Sequence, residues 1–499
     1  MNLDLMINGL IVCFNITNML LIVVGTFVGI IVGALPGLTA TMATAVLVPI
    51  TFGMQPISAL VLLGAAYCGA IYGGSISAIL LNTPGTPSAA ATCIEGYPMA
   101  QKGEGGQALG MAAIASFIGG IISAAALVLF APPLAKLALG FGPSEYFLLA
   151  VFGLTVIISL SMNSFLKGII AGIIGLLLGT VGMDPLIGFK RYTFGFINLM
   201  SGLPMIPTLV GLLSTSQLFI LAEKSGTKIL QTEVFSDKIL PKLSELKRLS
   251  KTLIRSSIIG IIVGAVPGAG GNISTFMAYD DAKRISRHPH KFGTGIVDGI
   301  AATESSNNAV TGGSLVTMLT LGLPGSNTTA VLLGGLMLHG LRPGPSFFVE
   351  SSNVAYAFMM SLFIANVVML LMGLLGAKYF IHIVKCPNDI LIAVIMLLSV
   401  VGSFSISNSI FDVYVMFIMG VAGYILRKIG ISPVPLVLAF ILGPIAENGL
   451  QRSLYMSDGS IIIFFTRPIC IILIILTIIS VMLPILRERR AKKNIALKG

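Results

Sequence analysis

The sequence is poor in charged residues. Asp, Glu, Lys and Arg make up 10% of its 499 residues, against about 25% in ordinary soluble domains. A water-facing surface needs more charge than this, so the shortage excludes a soluble protein. Because 55% of the residues are hydrophobic, most side chains must face lipid or each other.

Cysteine is also scarce, and tryptophan is absent. The five cysteines are scattered along the chain, and none forms a CxxC pair: Cys13, Cys68, Cys93, Cys386 and Cys470. Their odd number and spacing support neither a disulfide framework nor a zinc site.

Basic residues are missing from the start of the chain and clustered later. No Lys or Arg precedes Lys102, so the N-terminus lacks a basic signal-peptide region, and we expect its first apolar run to remain as a membrane span. Twelve Lys and Arg fall between residues 224 and 291 and six between 487 and 498, which places both stretches in the cytoplasm by the positive-inside rule. Because these stretches flank hydrophobic spans, the net charge of +11 does not indicate nucleic-acid binding.

The apolar runs predict an all-α polytopic membrane protein with about 12 membrane segments. Runs such as 57–81, 108–130 and 197–221 are long enough to cross a bilayer. Others are too short and end at Pro or Gly, which is typical of broken or re-entrant helices. We expect a first transmembrane repeat over 1–222, a polar cytoplasmic connector over 223–255, a second repeat core over 256–380, and C-terminal helices with a basic tail over 381–499.

Four short blocks recur in the same order and predict an internal duplication. GALPGL at 33–38 returns as GAVPGAG at 264–270, which pairs Pro36 with Pro267. The other three pairs are AIYGGSI with AVTGGSL (Gly73 on Gly312), NTPGT with GLPGS (Pro84 on Pro324) and EGYP with HGLRP (Gly96 on Gly340). A duplicated membrane unit is typical of secondary transporters.

Charge predicts that the two repeats are inverted. The first GALPGL region has no basic neighbour, whereas the second copy is flanked by Arg255 and by Lys283, Arg284 and Arg287. Equivalent segments then face opposite sides of the membrane, with a binding site at the midplane between them.

Two Pro-Gly tips, at residues 82–88 and 322–329, carry the strongest functional hypothesis. A helix that stops inside the bilayer frees carbonyls that suit a desolvated cation and N–H groups that suit a carboxylate. The predicted anion ligands are Asn82, Thr83, Thr86, Ser326, Asn327 and Thr328, and the predicted cation ligands are the carbonyls of Gly85, Gly322 and Gly325 with the side chains of Asn307 and Asn308. Sodium is one candidate for the cation. The structural alternative is a pair of Pro-kinked packing helices.

Other polar or broken segments are assigned to the scaffold. Pro36, Gly37, Pro84, Pro267, Gly268 and Pro324 are structural breaks, and the turns around them lack the Lys of a P-loop. Glu304 stands beside the two Asn residues and is either structural or proton-linked, with interhelical hydrogen bonding as the alternative for the whole cluster.

Intramembrane catalysis is the rival class. Tyr279-Asp280 has no GxGD partner, and the GGS blocks lack the following Gly of a GxSG nucleophile. We therefore expect no enzyme activity and no cofactor other than a coupling ion, either sodium or a proton.

These blocks resemble the large permease subunit of the tripartite tricarboxylate transporters, the TctA family. The similarity runs from about Gly25 to Phe348 through GALPGL, YGGSISAILLNTPGTPSAAAT, GAVPGAGGNISTFMAYD, GIAATESSNNAVTGG and LTLGLPGSNTTAVLLGGLMLHGLRPGP. Three positions depart from the pattern of the family that the chain resembles. Thr86 stands where an acid is usual, Thr303 where Pro is usual, and Glu95 where Asp is common.

The resemblance implies a secondary uptake system in a bacterial or archaeal cytoplasmic membrane. An extracytoplasmic solute-binding protein would deliver a tricarboxylate or related carboxylate to this permease. The permease would work with a small membrane subunit and draw on a sodium or proton gradient. A stand-alone carrier or channel and a non-transporting membrane assembly subunit remain the alternatives.

Overall fold

The computed structural model describes residues 2–159, 165–184, 187–223, 238–377, 379–380 and 387–496. Residues 224–237 of the expected connector, residues 381–386 with Cys386, and the side chains of the basic tail from Arg487 to Lys498 lie outside this description.

The described chain is built from helices. In chain order they are α1 Leu3–Cys13, α2 Ile16–Ala34, α3 Ala40–Ile50, α4 Pro56–Leu81, α5 Ala90–Gln101, α6 Gly105–Ala138, α7 Pro143–Ser159, α8 Phe165–Gly179, α9 Met205–Leu209, α10 Ser216–Glu223, α11 Leu243–Gly264, α12 Gly270–Ile285, α13 Val297–Leu321, α14 Asn327–Leu338, α15 Phe347–Glu350, α16 Ser352–Gly376, α17 Asn388–Ser407, α18 Ile410–Lys428, α19 Val434–Met456, α20 Ile463–Thr466 and α21 Pro468–Ala496. Two short strands, β1 Gly182–Met183 and β2 Lys190–Arg191, form an antiparallel hairpin in which Gly182 faces Arg191.

The predicted class, an all-α polytopic membrane protein, is confirmed. Eight helices in the described residues are long and apolar enough to span a membrane: 16–34, 56–81, 105–138, 205–223, 352–376, 389–407, 410–428 and 433–456. Helix α13 has a comparable length of 25 residues but is more polar, and nearly all of it is buried. Because protein shields it, α13 can carry side chains that lipid would exclude.

Glycines four residues apart hold the central helices close together. A Cβ on Gly25, Gly29 or Gly33 of α2 would collide with a backbone carbonyl of α4. The same is true of Gly260 and Gly264 of α11, which lie against the carbonyls of Ser306 and Val310 in α13. Small residues at this spacing let helix backbones approach inside a membrane.

The two halves of the bundle contact each other reciprocally. α2 packs on α4 as α11 packs on α13, while α6 crosses to α13 and α16 crosses to α4. The short helices follow the same rule, because α3 contacts α14 of the second half and α12 contacts the 3₁₀ turn Pro87–Ala89 of the first. This exchange of equivalent contacts is what a two-fold relation between two repeats produces.

The contacts also correct the register of one repeat block. Gly73 lies against the carbonyl of Ile30, and Gly313 lies against the carbonyl of Ile261. The equivalent of Gly73 is therefore Gly313 and not Gly312, which the letter pattern suggested. With this shift, α4 and its tip are both 240 residues from their equivalents in the second repeat, which is the offset between Pro84 and Pro324.

Two predicted boundaries differ from the structure. α11 runs from Leu243 to Gly264, so the expected boundary at residue 255 falls inside one helix. The run 197–221 is not one helix, because Gly202 and Pro204 interrupt it and α9 begins only at Met205.

Candidate functional site

Both Pro-Gly tips end their helices in the same way. Asn82 follows α4 with φ of 53°, and Gly322 follows α13 with φ of 71°, so both adopt the left-handed conformation. The next N–H turns back to a carbonyl six residues earlier, Thr83 to Ser77 at 3.4 Å and Leu323 to Thr317 at 3.4 Å. The helix stops that the sequence predicts are therefore present, and they are equivalent.

The glycine of each tip is locked against the preceding break. A Cβ on Gly85 would collide with the carbonyl oxygen of Gly33, and a Cβ on Gly325 would collide with that of Gly264. Because Gly33 and Gly264 precede the breaks at Pro36 and Pro267, each tip packs directly on its own broken helix. This contact requires glycine at the tip.

The two tips and the two breaks meet around one polar cavity of about 290 Å³. Its polar lining residues are Thr39, Thr41, Tyr67, Thr86, Ser88, Asn272, Asn307, Ser326, Asn327, Thr328, Arg427 and Ser432. Gly268, Gly270 and Gly271 contribute backbone to the wall. The volume is at the lower end of the range of about 300–1,000 Å³ that holds small-molecule ligands.

Many lining residues occupy positions that the repeat alignment pairs. At the offset of 240 residues, Thr86 pairs with Ser326, Ser88 with Thr328, and Tyr67 with Asn307; at the offset of the breaks, 231, Thr41 pairs with Asn272. Hydroxyl contacts link the halves across the cavity. Thr41 Oγ1 lies 3.1 Å from Thr328 Oγ1, and the Tyr67 hydroxyl lies 3.3 Å from Ser326 Oγ.

Asn307 is the least satisfied group in the wall. The residue is 0% exposed, and neither atom of its amide has a hydrogen-bond partner in the described structure. Leaving a buried amide unpaired costs about 1–3 kcal/mol. A ligand in the cavity would supply the missing partners.

The cavity includes some of the predicted ligands and omits others. Thr86, Ser326, Asn327, Thr328 and Asn307 line it. Asn82 and Thr83 are at the end of α4 and do not line it. The other predicted positions also lie outside the lining set: Gly85, Gly322, Gly325, Asn308, Pro36, Gly37, Pro84, Pro267 and Pro324, whereas the predicted break Gly268 is part of the wall.

Glu304 lies in a buried network one turn from Asn307. Thr92 donates to its carboxyl group at 2.5 Å and Ser116 at 3.2 Å, and Asn308 donates to Ser116 at 2.7 Å. Glu304 is 0% exposed and forms no ion pair among the described residues. The oxygen of the Asn308 amide is buried without a partner beside this group.

Two positions that depart from the family pattern have clear surroundings. Thr86 is buried, and its hydroxyl lies 3.2 Å from Ser88 Oγ in the cavity wall. Glu95 lies outside the cavity and accepts hydrogen bonds from Tyr279 and from the N–H groups of Gly293, Gly295 and Ile296. It therefore anchors the loop before α13 to α5.

Several wall residues escaped the sequence analysis. Thr41 and Asn272 follow the two breaks at equivalent positions, so the repeat alignment could have found them. Leu213 belongs to a π-helical segment, Val210–Thr215, that no residue pattern marked. Such segments are frequent at functional sites. Arg427 comes from α18, beyond the region whose motifs were specific, and carried no signal.

A bundle of apolar helices that joins two broken helices around a polar cavity defines a membrane protein of the transporter class. The chain belongs to the tripartite tricarboxylate transporter TctA family, whose family model matches residues 19–438. It is 37% identical over 471 residues to an uncharacterized 52.8 kDa protein of the TAR-I ttuC' 3' region of Agrobacterium vitis, and this match covers 94% of each chain. A second Agrobacterium vitis protein, from the TAR-II ttuC' 3' region, is 33% identical over 235 residues, which is 47% of this chain and 97% of that protein. No solved structure matches the chain.

Proposed function

We propose that the chain is the large membrane permease subunit of a tripartite secondary uptake system that imports carboxylates. The observation that carries this proposal is the cavity in which Thr86 and Ser88 of one tip meet Ser326, Asn327 and Thr328 of the other. Membership of a tricarboxylate transporter family supports the substrate class.

The carboxylate binds at the start of α14. Ser326 caps this helix through a reciprocal pair of hydrogen bonds with Thr329. The first N–H groups of a helix have no intrahelical acceptor, and the helix dipole favours an anion there. Asn327, Thr328 and the unpaired amide of Asn307 add side-chain donors around the same space.

The coupling cation binds beside the substrate, with sodium or a proton as the two candidates. The buried amide oxygens of Asn307 and Asn308, both without partners, support a site for a desolvated cation near α13. The tip carbonyls of Gly85, Gly322 and Gly325 complete the ligand set in this proposal. Gly325 already accepts a hydrogen bond from Gly268 at 3.2 Å, so its carbonyl is oriented toward the break.

The two repeats run in opposite directions through the membrane. Support comes from α6 and α16, the equivalent third long helices of the two repeats. Gly120 contacts Asn366, and Ala113 contacts Gly373. Residue numbers rise along α6 as they fall along α16, so these equivalent helices are antiparallel. We place the connector and the C-terminus in the cytoplasm of a bacterial or archaeal cell because of their basic residues.

Uptake into proteoliposomes tests the function. The chain is reconstituted with the small membrane subunit and the extracytoplasmic binding protein of the proposed system, and carboxylate entry is measured with and without an inward sodium or proton gradient. Gradient-dependent accumulation above the external concentration is the expected result.

Two outcomes would contradict the proposal. Accumulation that needs no binding protein indicates a stand-alone carrier or channel. No flux with all partners and either gradient indicates a membrane assembly subunit without transport activity.

A further inference from the structure

Arg427 is the one charged side chain among the described residues that line the tip cavity. It lies in the last turn of α18, outside both repeats, and faces a wall otherwise made of hydroxyls, amides, backbone and apolar side chains. The rest of the lining cannot compensate its charge.

Other arginines in the described structure pair with carboxylates. Arg248 pairs with Asp298 at 2.7 Å, Arg467 pairs with Glu145 at 3.0 Å, and Arg191 pairs with Glu447. Arg427 forms no ion pair within the part of the chain that the structure describes. A half-buried cation without an anion is costly, so a ligand that brings the anion is favoured.

The guanidinium is held in place by a neutral group. Its Nε donates to Ser216 Oγ at 3.2 Å, and the Ser216 hydroxyl donates in turn to the Leu212 carbonyl at 2.5 Å. This bond uses one of five N–H groups, and the terminal pair has the fork geometry that matches a carboxylate. Ser216 directly follows the π-helical segment Val210–Thr215, so the position of the arginine depends on this segment.

We propose that Arg427 is the specificity-determining residue that recognises the charge of the substrate. This inference rests on the proposed function and extends it: one carboxylate binds the guanidinium of α18, and a second binds the N-terminus of α14. The cavity therefore selects anions with two or more carboxylates over anions with one, because only an anion with at least two can bind the guanidinium and the N-terminus of α14 at the same time.

The adjacent Lys428 provides a matched control. It occupies the same helix end, but its ammonium pairs with Glu223 at 2.5 Å and it does not line the cavity. A general effect of positive charge at the end of α18 would involve both residues, whereas substrate recognition involves Arg427 alone.

The experiment measures carboxylate binding to the purified full-length chain. Citrate, succinate and benzoate are titrated separately, and dissociation constants are obtained from ligand-induced shifts of the unfolding temperature for the wild type and for Arg427→Gln, Arg427→Lys and Lys428→Gln. The unliganded unfolding temperature of each variant reports its folding.

Arg427→Gln is expected to weaken binding of citrate or succinate by about 10- to 100-fold, the range for a lost hydrogen bond to a charged group. The affinity of Arg427→Lys should lie between those of the wild type and Arg427→Gln, because lysine keeps the charge but lacks the paired N–H donors of the guanidinium. Benzoate should bind more weakly than either to the wild type, and Lys428→Gln should match the wild type.

The failures of the two proposals are distinguishable. If the wild type binds none of these carboxylates, the proposed function is overturned. If it binds them and Arg427→Gln binds with the same affinity, the role of Arg427 is overturned while the function stands. If Arg427→Gln does not fold, Arg427→Lys decides, and an unchanged affinity in that folded variant contradicts fork recognition.

Discussion

Asn307 is the residue whose surroundings are most consistent with a ligand-binding position. It is fully buried, and its amide has no partner in the described structure. Buried polar groups normally have a partner, and a bound ligand is one way in which an exception is satisfied.

Asn307→Ala is therefore expected to lower carboxylate uptake without lowering stability. The substitution removes an unpaired buried amide, so the unfolding temperature should stay equal to that of the wild type or rise. Thermal unfolding and proteoliposome uptake of the same preparation measure both effects. A drop in stability with uptake retained per folded molecule would show that the amide serves packing.

Glu304 allows a prediction of the opposite kind. Thr92→Val removes its shortest hydrogen-bond donor, and we expect a loss of about 1–3 kcal/mol in the free energy of unfolding because a buried carboxyl group is left under-satisfied. The matched control is Thr83→Val. That hydroxyl is exposed, and its one bond among the described residues is to the carbonyl of Leu81, two positions earlier, so the change should be near neutral. Equal effects of the two substitutions would contradict this account of the Glu304 network.

At the scale of elements, the broken helices depend on glycine contacts between tip and break. Gly85→Ala and Gly325→Ala each place a methyl group against a backbone carbonyl that cannot move aside easily. We expect each to destabilise the protein by about 1–3 kcal/mol and to abolish the alignment of the tip. Unfolding measurements and uptake assays check both.

Gly140→Ala is the control for these substitutions. Gly140 has ordinary space around its Cα, because the nearest atom to an added Cβ is the Leu137 carbonyl oxygen at 3.5 Å. This variant should behave like the wild type. If Gly325→Ala were as harmless as Gly140→Ala, the inference that the tip packs tightly on its broken helix would be wrong.

Many of the helix ends could be predicted from the sequence. Pro-Gly pairs at Pro84 and Pro324 specify helix ends because proline and glycine act locally. The wall of the cavity could not be predicted in the same way. Arg427 reaches the tips from a helix far along the chain, and the π-helical turn before Ser216 depends on how α10 packs on α18, which is a tertiary effect.

At the scale of the whole molecule, ion pairs and polar contacts define one end of the bundle. Gln107 donates to Glu245, Lys102 donates to the Thr294 carbonyl, and Arg248 pairs with Asp298. Because the basic connector lies at this end, we assign it to the cytoplasm. The β hairpin lies at the opposite end, because Met183 bonds to Met200 just before α9 and the span 205–223 runs from there to the connector.

Single-cysteine labelling tests this orientation. In a variant with the native cysteines replaced, Ser250→Cys should react with a membrane-impermeant thiol reagent only from the cytoplasmic side, and Met183→Cys of the exposed hairpin only from the other. The cysteine-free parent provides the background. Labelling of both positions from the same side would contradict the proposed topology.

We propose that substrate binds between the two tips, and two asparagines distinguish this site from a general requirement for polar residues at the tips. Asn327 lines the cavity, whereas Asn82 lies at the end of α4 outside it. The decisive measurement is the initial rate of binding-protein-dependent carboxylate uptake in proteoliposomes for Asn327→Ala and Asn82→Gly at equal protein density, because glycine keeps the left-handed conformation of residue 82 while removing its amide. We expect a loss of about tenfold or more for Asn327→Ala and a wild-type rate for Asn82→Gly. A wild-type rate for Asn327→Ala, or an equal loss for both, would contradict it.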